Sequence, residues 1–165
     1  MKEALTTPPV LAYPKGGEPF ILDTDANSSA VGAVLSQKID GNERVICYMS
    51  KAMSKEEEKY CVTRKELLAV VTAVKFFHPY LFGQNVLLRT DNAAVSWMRN
   101  LKNPTGQTAR WLQEIETYTM RVVHRNGKSH SNADALSRNP CRHVGDSSCW
   151  KWRLKHLFSQ HLWVW

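Results

Sequence analysis

No stretch of this chain approaches the roughly eighteen consecutive apolar residues that a membrane-crossing helix needs. A membrane-spanning role is therefore not expected. The four cysteines, Cys47, Cys61, Cys141 and Cys149, form no Cys-x-x-Cys pair, which leaves them as ordinary thiols of a reducing compartment. The start, MKEALTTPPV, has no long apolar stretch, so the expectation is an intracellular, non-secreted protein, cytoplasmic or nuclear. Acids are scarce in the second half, where Arg89, Arg99, Lys102, Arg110, Arg121, Arg125, Lys128 and Arg138 lie. That imbalance offers a surface for a polyanion.

What is present fits one soluble domain with tails. At 165 residues the chain is long enough for a single core and short for two. Hydrophobic residues make up 43% and charged residues 22%, ordinary values that argue against disorder in the body. The net charge of +7 points toward nucleic acid without requiring it. Residues 141–165 hold four Lys or Arg against one acid, so the tail is basic out of proportion to its length.

Residues 1–18 carry three prolines and a Gly-Gly pair and read as a connecting segment that does not fold alone. PFILDTDA, AVGAVLSQKI and ERVICYMSK then read as three strands, with hairpin chemistry at Asp40-Gly41-Asn42. From Ser54 the period changes. Ser54 with Glu57 forms a capping box, and Leu67, Val70, Val71, Val74, Phe77 and Leu81 recur at helical spacing, so one long helix is predicted from Ser54 to the region of Pro79. NVLLRT is a fourth strand, expected to lie parallel to an earlier one by a right-handed crossover. AAVSWMRN and TARWLQEIETY read as helices, MRVVHR as a fifth strand and SNADALSR as a last short helix. The predicted fold is α/β: a mixed five-stranded sheet, three antiparallel strands followed by parallel ones, flanked by helices.

Four acids fall at telling places. Asp25 ends the first strand, Glu66 flanks the apolar face of the long helix, Asp91 ends the fourth strand and Asp134 lies in the last helix. If the first and fourth strands are parallel neighbours, Asp25 and Asp91 meet at the carboxyl edge of the sheet, where open α/β sheets place their sites. Carboxylates gathered there would raise one another's pKa unless a cation neutralised them. Oxygen donors favour magnesium or manganese, and a cluster of this size could hold two ions about 3.5–4 Å apart for displacement at phosphorus. Blander readings stand beside this one: Asx turns or helix caps for Asp25 and Asp91, a surface pairing with Arg64 or Lys65 for Glu66, and a helix-dipole role for Asp134.

The strings FILDTDANSSAVGAVLSQ, YCVTRKELLAVVTAVKFFHPYLFG, VLLRTDNAAV and HRNGKSHSNADALSR together resemble, in order, the ribonuclease H domain of gypsy-type LTR retrotransposon reverse transcriptases. The likeness covers roughly residues 5 to 140, and NADALSR is its most telling piece. It implies a ribonuclease H-like fold over 19–140, an upstream connection through 1–18 to a polymerase part absent here, and endonucleolytic cleavage of RNA in an RNA–DNA hybrid. The acidic site and metal ligands it implies are Asp25, Glu66, Asp91 and Asp134, with two magnesium ions, or manganese, as cofactor. Asp23, on the same face as Asp25, is the runner-up. His130 becomes the candidate for a loop histidine that assists metal and product release. Asn92, Arg99 and Arg110, with Trp97 and Trp111, are candidates near phosphate or sugar, although core packing is the simpler role for both tryptophans.

The implied partners are the hybrid and the polymerase and integrase parts of a parent polyprotein, in a retroelement particle of the cytoplasm or in the nucleus. A reverse transcriptase label attaches by family only, since no polymerase domain is present. Residues 141–165 depart from the family. Cys141, His143, Cys149 and His161 lack zinc-module spacing, and four of the six tryptophans fall between 150 and 165. The segment reads as a truncated or altered element end, expected to be poorly ordered, with a basic amphipathic helix as the other reading. Against the nuclease stands a second class of function, an inactive or host-adopted remnant that binds nucleic acid without cutting it. A transposase or integrase of the same broad fold would place its last acid on a long helix and not in NADALSR.

Overall fold

Apolar runs open the first two strands, β1 (Phe20–Ala26) and β2 (Ala30–Ile39), and β3 (Asn42–Ala52) follows after a two-residue turn. The computed structural model describes residues 11–90 and 106–124, with Ala133, Leu136 and Ser137. The β2–β3 turn works because Asp40 (φ 51°) and Gly41 (φ 80°) both enter the left-handed region, the geometry that matches a tight hairpin to strand twist. β3 carries an extra residue where the register shifts between Leu35 and Ser36.

The capping box forms, but it does not start the long helix. Ser54 N–H donates to Glu57 Oε2 at 2.8 Å and Glu57 N–H to Ser54 Oγ at 3.2 Å, and this pair closes only a 3-10 turn, Glu57–Lys59. Tyr60 and Cys61 then take extended backbone before α1 (Val62–Phe76) begins. The cause is tertiary: the Tyr60 ring turns out against Trp111, centroids 6.0 Å apart, and lies 4.3 Å from the Arg64 guanidinium. Phe77 closes α1, and Pro79, which lacks an N–H, opens the single turn of α2 (His78–Leu81).

β4 (Asn85–Thr90) returns parallel to β1, and α3 (Gly106–Glu116) leads to β5 (Thr119–His124), parallel to β4. The strand order is β3-β2-β1-β4-β5, the ribonuclease H-like arrangement. One face of the sheet is covered by α1: Leu67, Val70, Val71 and Val74 join Leu22, Ala33, Leu35 and Leu88 in the core, the burial of each Leu or Val worth about 1.5–3 kcal/mol. α3 adds Leu112 and Ile115 beside α1. No helix among the described residues is long and apolar enough to cross a membrane.

Before β1 the chain crosses the sheet instead of leaving it. Ala12 N–H donates to Val45 O on β3 at 2.7 Å. The buried Gln37 of β2 then grips the segment, accepting from Lys15 N–H at 2.9 Å and donating to Lys15 O at 3.1 Å and Glu18 O at 2.8 Å.

The opposite face of β1 carries an ion network. Arg89 of β4 lies beside Asp23 in the parallel register and forks onto its carboxylate, Nε to Oδ1 at 2.7 Å and Nη2 to Oδ2. The same guanidinium reaches Glu43 of β3 at 2.9 and 2.6 Å, and Glu43 accepts from Ser36 of β2 at 3.0 Å. Burial opposes the Arg89 charge, but the hydrogen bonds and charges of Asp23 and Glu43 outweigh it and hold its pKa above the ordinary value. One cation thus links four strands. Replacing Arg89 by Met strands the Asp23 carboxylate in the interior and is expected to lower stability by roughly 3–5 kcal/mol in urea unfolding. Adding Asp23→Leu is expected to restore most of it.

Candidate active site

Side chains alternate along a strand, so Asp23 and Asp25 project from the same face of β1. Both are buried, 4% and 9% exposed, and each must be compensated. The compensation differs. Asp23 is held in the Arg89 fork, whereas Asp25 Oδ2 accepts a hydrogen bond from Ser137 Oγ.

Ser137 reaches Asp25 because β2 leaves a gap. Gly32 pairs with Asp25, and a Cβ built on it would stand 2.6 Å from Ala133 O, 2.8 Å from Ser137 N and 2.9 Å from Leu136 Cβ. Two of those atoms are backbone and cannot swing away. The helical residues Ala133, Leu136 and Ser137 therefore rest on the sheet where a side chain is missing. On β3, Ser50 pairs with Gly32 and donates to Leu136 O at 2.8 Å. Asp25, Gly32 and Ser50, one residue from each of three strands, form a single row beneath this turn.

Glu66 comes from α1 and is 5% exposed, so it is no surface acid. Its neighbours in sequence fix the helix on both sides. Lys65 Nζ donates to Ser28 O in the β1–β2 turn at 2.9 Å, while Arg64 donates to Gln107 Oε1 of α3. Glu66 is thereby brought to the end of the sheet where β1 delivers Asp25. Tyr60 Oη also meets Gln107 Oε1, at 3.2 Å, and the Arg64 guanidinium lies 5.7 Å from the Trp111 ring. Trp111 is half-buried against the core, in keeping with the packing role, and Arg110 is exposed on α3.

Asp91, Asp134, His130, Asn92, Trp97 and Arg99 lie outside the described residues, as does the segment 141–165. Among the described residues no group of three or more His, Cys, Asp and Glu is assembled to hold a metal. The two described acids offer only carboxylate oxygen, a donor set that suits magnesium or manganese and not a soft ion. Gly32, Ser137, Arg64 and Lys65 were not singled out from sequence as parts of the site. An isolated glycine inside the strand pattern AVGAVL is the signal that would have found the first.

Comparison with known proteins is consistent across sequence and structure. The family model described as the RNase H-like domain found in reverse transcriptase matches residues 16–118. The retrovirus-related Pol polyprotein from transposon opus of Drosophila melanogaster is 37% identical over 141 residues, 85% of this chain and 14% of that polyprotein. The chain thus spans about a seventh of that relative's length. A foamy viral protease–reverse transcriptase in complex with RNA/DNA hybrid superposes with a TM-score of 0.61 at 16% identity, over 71% of this chain and 16% of that one. RNase H1 from Halobacterium salinarum NRC-1 gives 0.53 at 17% identity, over 72% of this chain and 92% of that one. At these identities the two structures speak for the fold.

Gly32→Ala is expected to lift the turn off the sheet. Hydrogen exchange at Leu136 and Ser137 should lose its protection while the amides of β1 and β4 keep theirs, and stability should fall by about 1–3 kcal/mol.

Proposed function

The chain belongs to the RNase H-like domains of reverse transcriptases from LTR retrotransposon Pol polyproteins, and on that premise we propose that it is a metal-dependent endonuclease hydrolysing the RNA strand of RNA–DNA hybrids. The observation that carries this reading is the burial of Asp25 and Glu66 at one end of the sheet, the first on the central strand and the second on the helix that covers it. Two further acids complete the proposed set. Asp91 stands at the same sequence offset from Asp25 as Arg89 does from its parallel neighbour Asp23, and Asp134 follows Ala133, whose carbonyl lies against Gly32.

Buried carboxylates of this kind fit a divalent cation, whose charge would offset their desolvation. When bound, magnesium or manganese supplies activation of a water and stabilisation of charge at the leaving oxygen. The protein's own part is to hold the ligands still. Ser137 fixes one oxygen of Asp25, and Lys65 and Arg64 set the helix that carries Glu66. Asp23 is excluded from the set in this reading, since its carboxylate is occupied by the Arg89 fork. His130 is assigned to assisting release, and Asn92, Arg99 and the exposed Arg110 to phosphate or sugar contacts.

The substrate assignment draws on the family and on the hybrid held by the foamy viral neighbour. Residues 19–140 carry the nuclease domain, 1–18 join it to a polymerase part, and 141–165 form a basic tail; the polymerase and integrase parts of a retroelement polyprotein are the proposed partners. Cleavage would then take place in the retroelement particle or the nucleus.

The test is cleavage of a hybrid labelled on either strand by the full chain with magnesium or manganese. Cutting of the RNA strand alone is expected, abolished by chelation and lowered at least about 100-fold in Asp25→Asn and Glu66→Gln, more than the loss of a mere supporting contact costs. A folded chain that bound the hybrid and cut it with neither metal would be a nucleic-acid-binding remnant instead.

A further inference from the structure

The geometry points to Ser137 as a positioning residue: seated by the Gly32 gap and by Ser50, its hydroxyl sets the rotation of the Asp25 carboxylate and so the affinity of the site for its cation. This inference rests on the proposed nuclease reading and deepens it. Three observations meet here. Ser137 is fully buried, 0% exposed, so its hydroxyl has no bulk water as a competing partner. It donates to one defined oxygen of Asp25, Oδ2. Its own position is over-determined, because the backbone at Ala133 and Ser137 fills the space above Gly32 and Ser50 holds the turn through Leu136 O at 2.8 Å.

A terminal carboxylate torsion is broad and turns easily, so strand geometry alone leaves the two oxygens of Asp25 poorly fixed. A buried donor locked in place removes that freedom before any ion arrives. Groups that orient metal ligands in this way typically contribute 10–100-fold to affinity. The hydroxyl also joins β1 to the helical residues that rest over Gly32.

The experiment uses the full-length chain, with manganese alone as the probe and titration calorimetry as the readout. Ser137→Ala is expected to weaken manganese binding about tenfold, the lower end of that range. Ser137→Cys nearly keeps the volume of serine but is a poor donor, so it should behave like the alanine variant; wild-type affinity in the cysteine variant would mean that packing alone matters and would overturn the proposal. A double-mutant cycle of Ser137→Ala with Asp25→Ala, which removes the acceptor, read by unfolding midpoints without metal, should be non-additive; strict additivity would show that the contact is not formed and would also overturn it. Manganese binding unchanged in Ser137→Ala beside normal wild-type binding would defeat the positioning role and leave the nuclease reading standing. A folded wild-type chain that bound no manganese would defeat the metal site itself, and the positioning role with it.

Discussion

A charge placed inside a sheet has to be answered from somewhere, and in this protein the answer is the Arg89 guanidinium. It forks onto Asp23 and continues to Glu43, and Ser36 closes the far end. The network runs across β4, β1, β2 and β3, so it constrains the order of the strands as well as their spacing. Asp25, one pleat further along β1, accepts a hydrogen bond from the Ser137 hydroxyl. Two acids alike in burial and face thus differ in the partner that meets each, a guanidinium for Asp23 and a hydroxyl for Asp25.

The strands were legible because their signals are local. Short apolar runs and the Asp40-Gly41 turn placed β2 and β4 within their observed limits. The start of the long helix was not legible. A capping box describes only the hydrogen bonds of its own turn, and here a 3-10 turn uses them up; what delays α1 to Val62 is the Tyr60 ring seeking Trp111, a contact between distant parts of the chain. The choice between Asp23 and Asp25 was hidden for the same reason. Their partners lie 66 and 112 residues away, and no periodicity reports such distances. Family resemblance, and not strand alternation, favoured Asp25.

Glu66 illustrates how a helix delivers one acid accurately. Two consecutive cations before it point to different supports, Arg64 to α3 and Lys65 to the β1–β2 turn. Rotation of α1 about its axis would break one of them, and sliding along the sheet would break the other. The apolar contacts of Leu67, Val70 and Val74 supply most of the binding energy between helix and sheet, but such contacts are non-directional. The polar pair at the start of α1 supplies the direction.

The grip of Gln37 on the residues before β1 has a mechanical side. A buried amide with three hydrogen bonds to Lys15 and Glu18 turns the entry of the chain into a clamp, and the Ala12 bond to Val45 adds a second fixing point near the hairpin side of the sheet. The stretch from Ala12 to Glu18 is therefore a stiff mount laid across β3 and β2 ahead of β1. Torque applied to that mount would load β2 and β3 first, the strands whose Gly32 and Ser50 seat the residues against Asp25.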